Sequence, residues 1–178
     1  MAMFNSRGLR GSALEDLINN TNERYRKDGL ALVQKIPTPI TPIDIDHSTS
    51  RITLAYFDKK STVDYIGAVQ GIPVAFDAKE CKEDTFPLSN IHAHQMRFMD
   101  EFEKQEGIAF FLLYFSSHER FYYLRYDEAR TFWERMENGG RKSFRRDELD
   151  EDFFFDSPNG LWVPYLPMIQ KDLDARKE

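Results

Sequence analysis

The stretch Thr62-Val63-Asp64-Tyr65-Ile66-Gly67-Ala68-Val69-Gln70-Gly71-Ile72-Pro73-Val74-Ala75-Phe76-Asp77-Ala78-Lys79 decides the fold. Two strand-like runs, Val63–Val69 and Ile72–Ala78, flank Gln70-Gly71, the length of a two-residue hairpin turn. With Gln70 and Gly71 in the turn, Val69 faces Ile72, Asp64 faces Asp77 and Thr62 faces Lys79. Side chains alternate between the two faces of a strand. Thr62, Asp64, Asp77 and Lys79 therefore share one face, and Val63, Tyr65, Val69, Ile72, Val74, Phe76 and Ala78 share the other. A slip of one residue would bury the charges, so the apolar pattern fixes the register.

That register has a chemical consequence. Carboxylates opposed across an antiparallel pair have Cβ atoms roughly 4.5–5.5 Å apart, and like charges so placed repel. A hard divalent cation relieves the repulsion; Mg²⁺ is commonly held by one or two carboxylates together with water and substrate phosphate. Lys79, two residues beyond Asp77, points into the same space, where an ammonium stabilises charge growing on a phosphoryl group. The bland reading of the same residues is a surface salt bridge between Lys79 and the two aspartates.

Outward from the hairpin, Ser12-Ala13-Leu14-Glu15 has capping-box spacing, and helical periodicity follows to Gly29, predicting a helix over 13–28. Leu30–Ile36 reads as a strand. Pro37, Pro39 and Pro42 forbid a helix or a central strand, so 37–60 reads as a projecting excursion, a two-stranded ribbon with Ile52–Phe57 returning. Ser89 or Asn90 caps a predicted helix running to about Glu106. Ile108–Phe115 is almost wholly apolar and reads as a buried central strand. Phe121–Tyr126 is a further strand, Asp127 caps a helix to about Glu137, and Leu161–Tyr165 is a candidate short strand. Phe153–Phe155 and Trp162 either cover the core or build an interface. His92 and His94, two apart, do not share a helix face and make a poor metal pair. Gln95, on a helix beside the hairpin, is placed to aim its amide at the metal shell or at a bound strand.

The chain has 178 residues, 41% hydrophobic and 14% aromatic, which suits one folded domain over 1–178 with the excursion at about 37–60 as an insertion. No apolar run approaches a membrane span, the start lacks a signal-like segment, and there is a single cysteine, Cys81; together these predict a cytoplasmic protein with no membrane partner. The net charge of −6 reads, by itself, as a solvated acidic surface rather than the basic footprint of a DNA binder. Its distribution is uneven. Arg7, Arg10, Arg24, Arg26, Lys27 and Lys35 gather towards the start and Arg141, Lys142, Arg145 and Arg146 later, with acid concentrated over Asp147–Asp152 and in the tail. Arg7, Arg10, Arg24, Arg26 and Lys35 are the candidate DNA contacts; solvated helix-face charge is the competing reading.

Ser61-Thr62-Val63-Asp64-Tyr65, Phe76-Asp77-Ala78-Lys79-Glu80, Phe86-Pro87-Leu88 and His92-Ala93-His94-Gln95, with Lys35-Ile36-Pro37-Thr38-Pro39 upstream, together resemble the RecU-type Holliday junction resolvases of the PD-(D/E)xK nuclease superfamily. The resemblance spans about residues 7–125. It implies an α/β fold with a restriction-endonuclease-like core, a central mixed sheet flanked by helices, and 37–60 as a projecting stalk. It implies a Mg²⁺- or Mn²⁺-dependent endonuclease that acts as a homodimer on four-way junction DNA in recombination and repair, with a recombinase as a further candidate partner. Carried over residue by residue, Thr62, Asp64, Asp77 and Gln95 match the family's metal positions, and Lys79 matches its transition-state stabiliser. Asp77 departs from the family's usual Glu, the arm before Ser12 is short, and the stalk sets Arg51, Lys59 and Lys60 against Asp44, Asp46 and Asp58. Two alternatives stand beside the resolvase: a related nuclease with another DNA substrate, and a non-catalytic DNA-binding recombination modulator.

Overall fold

The computed structural model describes residues 10–57, 62–160 and 162–176. Helix α1 (Arg10–Lys27) leads into β1 (Ala31–Lys35), a ribbon of β2 (Ile40–Asp46) and β3 (Arg51–Phe57), and the hairpin of β4 (Tyr65–Val69) and β5 (Ile72–Cys81). After β6 (Thr85–Pro87), helix α2 (Ala93–Glu103) crosses to β7 (Ile108–Phe115). Then follow β8 (Arg120–Arg125), α3 (Tyr126–Glu137), β9 (Ser143–Arg145), β10 (Phe154–Asp156) and α4 (Leu166–Ala175).

The main sheet runs β1-β4-β5-β7-β8-β10. Only β5 and β7 are parallel, joined through α2; every other neighbour is antiparallel. This is the central mixed sheet flanked by helices. The ribbon strands pair only with each other. Their residues are exposed or half-exposed along both strands, including Ile43, Ile45, Ile52, Leu54, Tyr56 and Phe57.

The hairpin register is as the pattern demanded: Val69 faces Ile72 and Tyr65 faces Phe76. Gln70 and Gly71 both have positive φ, 49° and 89°, the signature of a type I′ turn. Asparagine is the commoner choice at such a turn. Here the longer glutamine amide donates to Gly29 O and Leu30 O, both at 3.0 Å, tying the turn to the end of α1. On the core face, Tyr65, Phe76, Phe110 and Tyr123 stack in a row across β4, β5, β7 and β8, with centroids 4.7, 4.7 and 4.3 Å apart. Each such pair adds about 0.5–1.5 kcal/mol beyond its burial. Tyr165 closes over the row, 5.2 Å from Phe76.

Several boundaries differ from the sequence reading. Helix α1 begins at Arg10, so Ser12 lies within its first turn rather than at its cap. The cap of α2 is His92, not Ser89 or Asn90: those residues form a single 3₁₀ turn, after which Ile91 runs extended and sinks its side chain. Helix α3 starts at Tyr126, one residue before Asp127, which sits in its acidic first turn. Residues 162–165 are irregular and form no strand; Leu161 lies outside the described residues. Phe153–Phe155 are buried and Trp162 packs against the core, so these aromatics cover it.

The end of the chain completes the core rather than trailing from it. Thr21 Oγ1 accepts from Val163 N at 2.8 Å, and Tyr165 donates to Asn22 at 2.5 Å. Arg176 bonds both Asp172 and Glu103, while Tyr123 donates to Asp172 at 3.0 Å, pinning α4 to α2 and β8.

Gly67 marks where β4 lies closest to β1. A Cβ there would fall inside the van der Waals envelope of the Leu32 carbonyl oxygen and Val33 Cα, both backbone atoms. Gly67→Ala should therefore push β1 off the sheet and lower unfolding stability by about 2 kcal/mol or more. Urea denaturation checks this; an unshifted midpoint contradicts it.

Candidate metal centre

Strand β5 is interior, with β4 on one side and β7 on the other, and α2 lies over its polar face. The hairpin therefore has no open face at Asp77: the carboxylate is fully buried, where the sequence pattern alone placed it on the outer face. The alternation itself holds, because Phe76 points into the aromatic row and Asp77 to the other side.

Asp77 has three polar neighbours. Its Oδ1 is ion-paired with Lys79 Nζ at 2.6 Å. Its Oδ2 accepts from Gln95 Nε2 at 2.5 Å. Asp64 stands beside it. The β4 ladder stops at Tyr65, and the Asp64 side chain takes over: its Oδ2 accepts from Ala78 N at 3.0 Å. Its main-chain oxygen accepts from Ile36 N at 2.8 Å, extending the β1–β4 pairing. Asp64 is thus gripped from both sides at the edge of the hairpin. Thr62 lies exposed just before it, beyond the end of the ladder that would have set it opposite Lys79.

Burial pushes the Asp77 carboxyl from its usual 3.8 up to about 7; Lys79 pulls it down and Asp64 pushes it up. A buried acid with an acidic neighbour and a single ammonium nearby is undercompensated for negative charge. Such a site fits a divalent cation. Among the described residues no group of three His, Cys, Asp or Glu comes together. A cation here would hold to two carboxylates and complete its shell with water and phosphate oxygens, the usual habit of Mg²⁺.

The structure gathers Asp64, Asp77, Lys79 and Gln95 into one site. The candidate DNA contacts are not gathered with it. Arg7 lies outside the described residues, as does the side chain of Arg10. Arg24 lies over Trp162, 4.6 Å from the ring centre, and 3.8 Å from Asp28; Arg26 is bonded twice to Glu23; Lys35 pairs with Glu15. Two participants escaped the sequence reading, the Ala78 amide that anchors Asp64 and the His92 amide that anchors Gln95. His92 and Gln95 stand at capping-box spacing, which is a usable signal for the second.

The sequence signature described as RecU, recombination protein U, matches residues 9–171. The chain belongs to the RecU family. A protein of Pediococcus pentosaceus named Holliday junction resolvase RecU is 37% identical over 172 residues, spanning 94% of this chain and 86% of that one. The protein of that name from Bacillus subtilis is 41% identical over 146 residues, 80% of this chain and 70% of its own. A solved structure of Archaeoglobus fulgidus Hjc, a Holliday junction resolvase from an archaeal hyperthermophile, overlaps 66% of this chain and 78% of that one at 12% identity and a TM-score of 0.40. That overlap is too loose to carry weight. The RecU match covers every residue of the candidate site.

A raised folded-state value means that the unfolded chain ionises Asp77 first as pH rises. The metal-free protein therefore loses stability from about pH 4 to about pH 7, and the loss is complete above that window. Removing the charge should reverse it. In EDTA, the stability of Asp77→Asn relative to wild type should grow by a few kcal/mol between pH 4.5 and 8. Saturating Mg²⁺ should raise the melting temperature of wild type and leave the variant unmoved. A difference that is flat with pH, or equal responses to Mg²⁺, contradicts the assignment.

Proposed function

We propose that this RecU-family chain is a Mg²⁺- or Mn²⁺-dependent endodeoxyribonuclease that resolves four-way junctions. The observation that carries the reading is the fully buried Asp77 carboxylate, set beside Asp64 with Lys79 Nζ 2.6 Å away, in a chain whose curated relatives are named Holliday junction resolvases. Asp64 and Asp77 would hold the cation, with Thr62 and Gln95 at the positions that the family resemblance gives to the same ion. When bound, such an ion lowers the pKa of a water and offsets charge on the phosphate.

The protein's own residues do the rest. Burial on β5 keeps Asp77 in one place and excludes competing water. The Ala78 amide fixes the Asp64 carboxylate. Lys79 is only partly exposed and its ammonium lies against Asp77, where it would stabilise the extra negative charge that a phosphoryl group gains as water attacks. One site cuts one strand. Symmetrical resolution of a junction therefore calls for two copies, and we propose a homodimer. No described helix is long and apolar enough to cross a membrane.

The ribbon favours one alternative. It carries Asp44 and Asp46 against Arg51 and exposes Ile43, Ile45, Leu54, Tyr56 and Phe57, a surface that phosphate does not attract. The same chemistry could serve another branched DNA.

Cleavage of a labelled mobile four-way junction in Mg²⁺, beside flap, linear duplex and single strand, separates the two. Preferred, symmetrical cutting of the junction is expected; equal or better cutting of the flap supports the alternative. Lys79→Met should keep Mn²⁺ and junction binding and slow cutting by at least about a hundredfold. Wild-type rates for that variant would remove Lys79 from the chemistry.

A further inference from the structure

The second basic cluster of the sequence, Arg141, Lys142, Arg145 and Arg146, has no part in the site described above. The fold treats its members unequally. Arg141 lies 3.1 Å from Glu148, Arg145 is bonded to Asp147 at 2.7 Å, and Arg146 lies 3.9 Å from Glu151. The acidic run that follows the cluster thus faces three of its four cations. Lys142 is exposed and has no ion-pair partner among the described residues. Its main chain, by contrast, is held firmly. Leu88 N donates to the Lys142 carbonyl at 3.0 Å, and Arg135 Nη2 donates to the next carbonyl, that of Ser143, at 2.7 Å. Phe144, one residue on, is buried and stacks on both Phe86 and Phe132, with ring centroids 5.0 and 4.5 Å away.

The same bond to Leu88 ties Lys142 to the metal centre. Leu88 opens the short connection that runs through Ile91 to His92 at the head of α2, and Gln95 in the first turn of that helix is bonded to Asp77. Leu88 and His92 are four residues apart, so at most about 14 Å of chain separates them. A B-form strand advances about 3.4 Å per nucleotide, which makes that reach a matter of a few nucleotides. We infer that Lys142 is a phosphate contact: it grips the DNA backbone of the arm being cut, a few nucleotides from the scissile bond. The inference rests on the nuclease reading above and adds a residue to it. Arg141 and Arg145, engaged by Glu148 and Asp147, shape the loop; Lys142 is left for the ligand. A lysine suits the task, being a point charge on a flexible stem, and the fixed main chain means that little beyond its own rotamer freedom is lost on binding.

Binding of a four-way junction to the full-length protein is measured over a range of salt in EDTA, which withholds the metal. Lys142→Gln should reduce the slope of log K against log salt by about 0.9, the counterions released by one phosphate. Arg97→Gln is the control and removes the same charge. Arg97 is also exposed and without an ion pair among the described residues, but the helical period turns it about 200° from Gln95, to the far side of α2. Its slope should stay that of wild type. A methylphosphonate, a neutral phosphate analogue, is then placed singly along the arm to locate the contact. One of these, within about five nucleotides of the cut, should weaken wild type several-fold and leave Lys142→Gln unaffected. An unchanged slope for Lys142→Gln, an equal drop for Arg97→Gln, or the same response of wild type and Lys142→Gln to every methylphosphonate overturns the inference. A wild-type protein that binds no junction and cuts no DNA in Mg²⁺ would instead overturn the nuclease reading on which it stands.

Discussion

Tyr65 facing Phe76 across β4 and β5 is the contact on which the rest of the structure depends. It belongs to a stacked row that continues through Phe110 to Tyr123, so four strands share one register. Because strand side chains alternate, fixing Phe76 on the core face fixes Asp77 on the opposite one, and fixing Tyr65 does the same for Asp64. The site is a by-product of how the aromatic core packs. A slip in that row would carry each aspartate to the wrong face, and no adjustment of side-chain rotamers could recover it.

What the core places so firmly, electrostatics opposes. Asp77 is buried beside another carboxylate, with one ammonium to offset the two, and its carboxyl is pushed up to about 7. The fold tolerates this because the surrounding structure is overdetermined: Gly67 lets β1 close onto β4, Gln70 ties the hairpin to α1, and the Arg176–Asp172–Glu103 network locks the last helix over the sheet. Stability held elsewhere permits an unfavourable arrangement at the point where chemistry needs it. A group that is costly to ionise in the empty site is also one whose ionisation a cation rewards most, so folding stress and metal affinity are two sides of the same geometry.

How much of this was legible depended on whether the information was local. The hairpin, its register and the nearness of Asp64 to Asp77 followed from alternation; the ladder that would have paired them stops at Tyr65. The buried strand Ile108–Phe115 and the projecting ribbon were equally visible, one from its unbroken apolar run and the other from Pro37, Pro39 and Pro42. The burial of Asp77 was not visible, because it comes from β7 and α2, which lie beside β5 only after folding. The same applies to the end of the chain: Val163, Tyr165 and Asp172 find partners in Thr21, Asn22 and Tyr123, and no local pattern announces such distant pairs. Strand β10, three residues long, is too short for alternation to register. Family resemblance supplied the metal roles of Thr62 and Gln95.

The most direct test of the account is anomalous diffraction at the manganese edge from crystals of the protein grown with Mn²⁺. The account predicts a peak within ligand distance, about 2.0–2.3 Å, of one oxygen each from Asp64 and Asp77, with Lys79 alongside. Well-ordered aspartates with no peak between them, or a peak only elsewhere on the molecule, would contradict it.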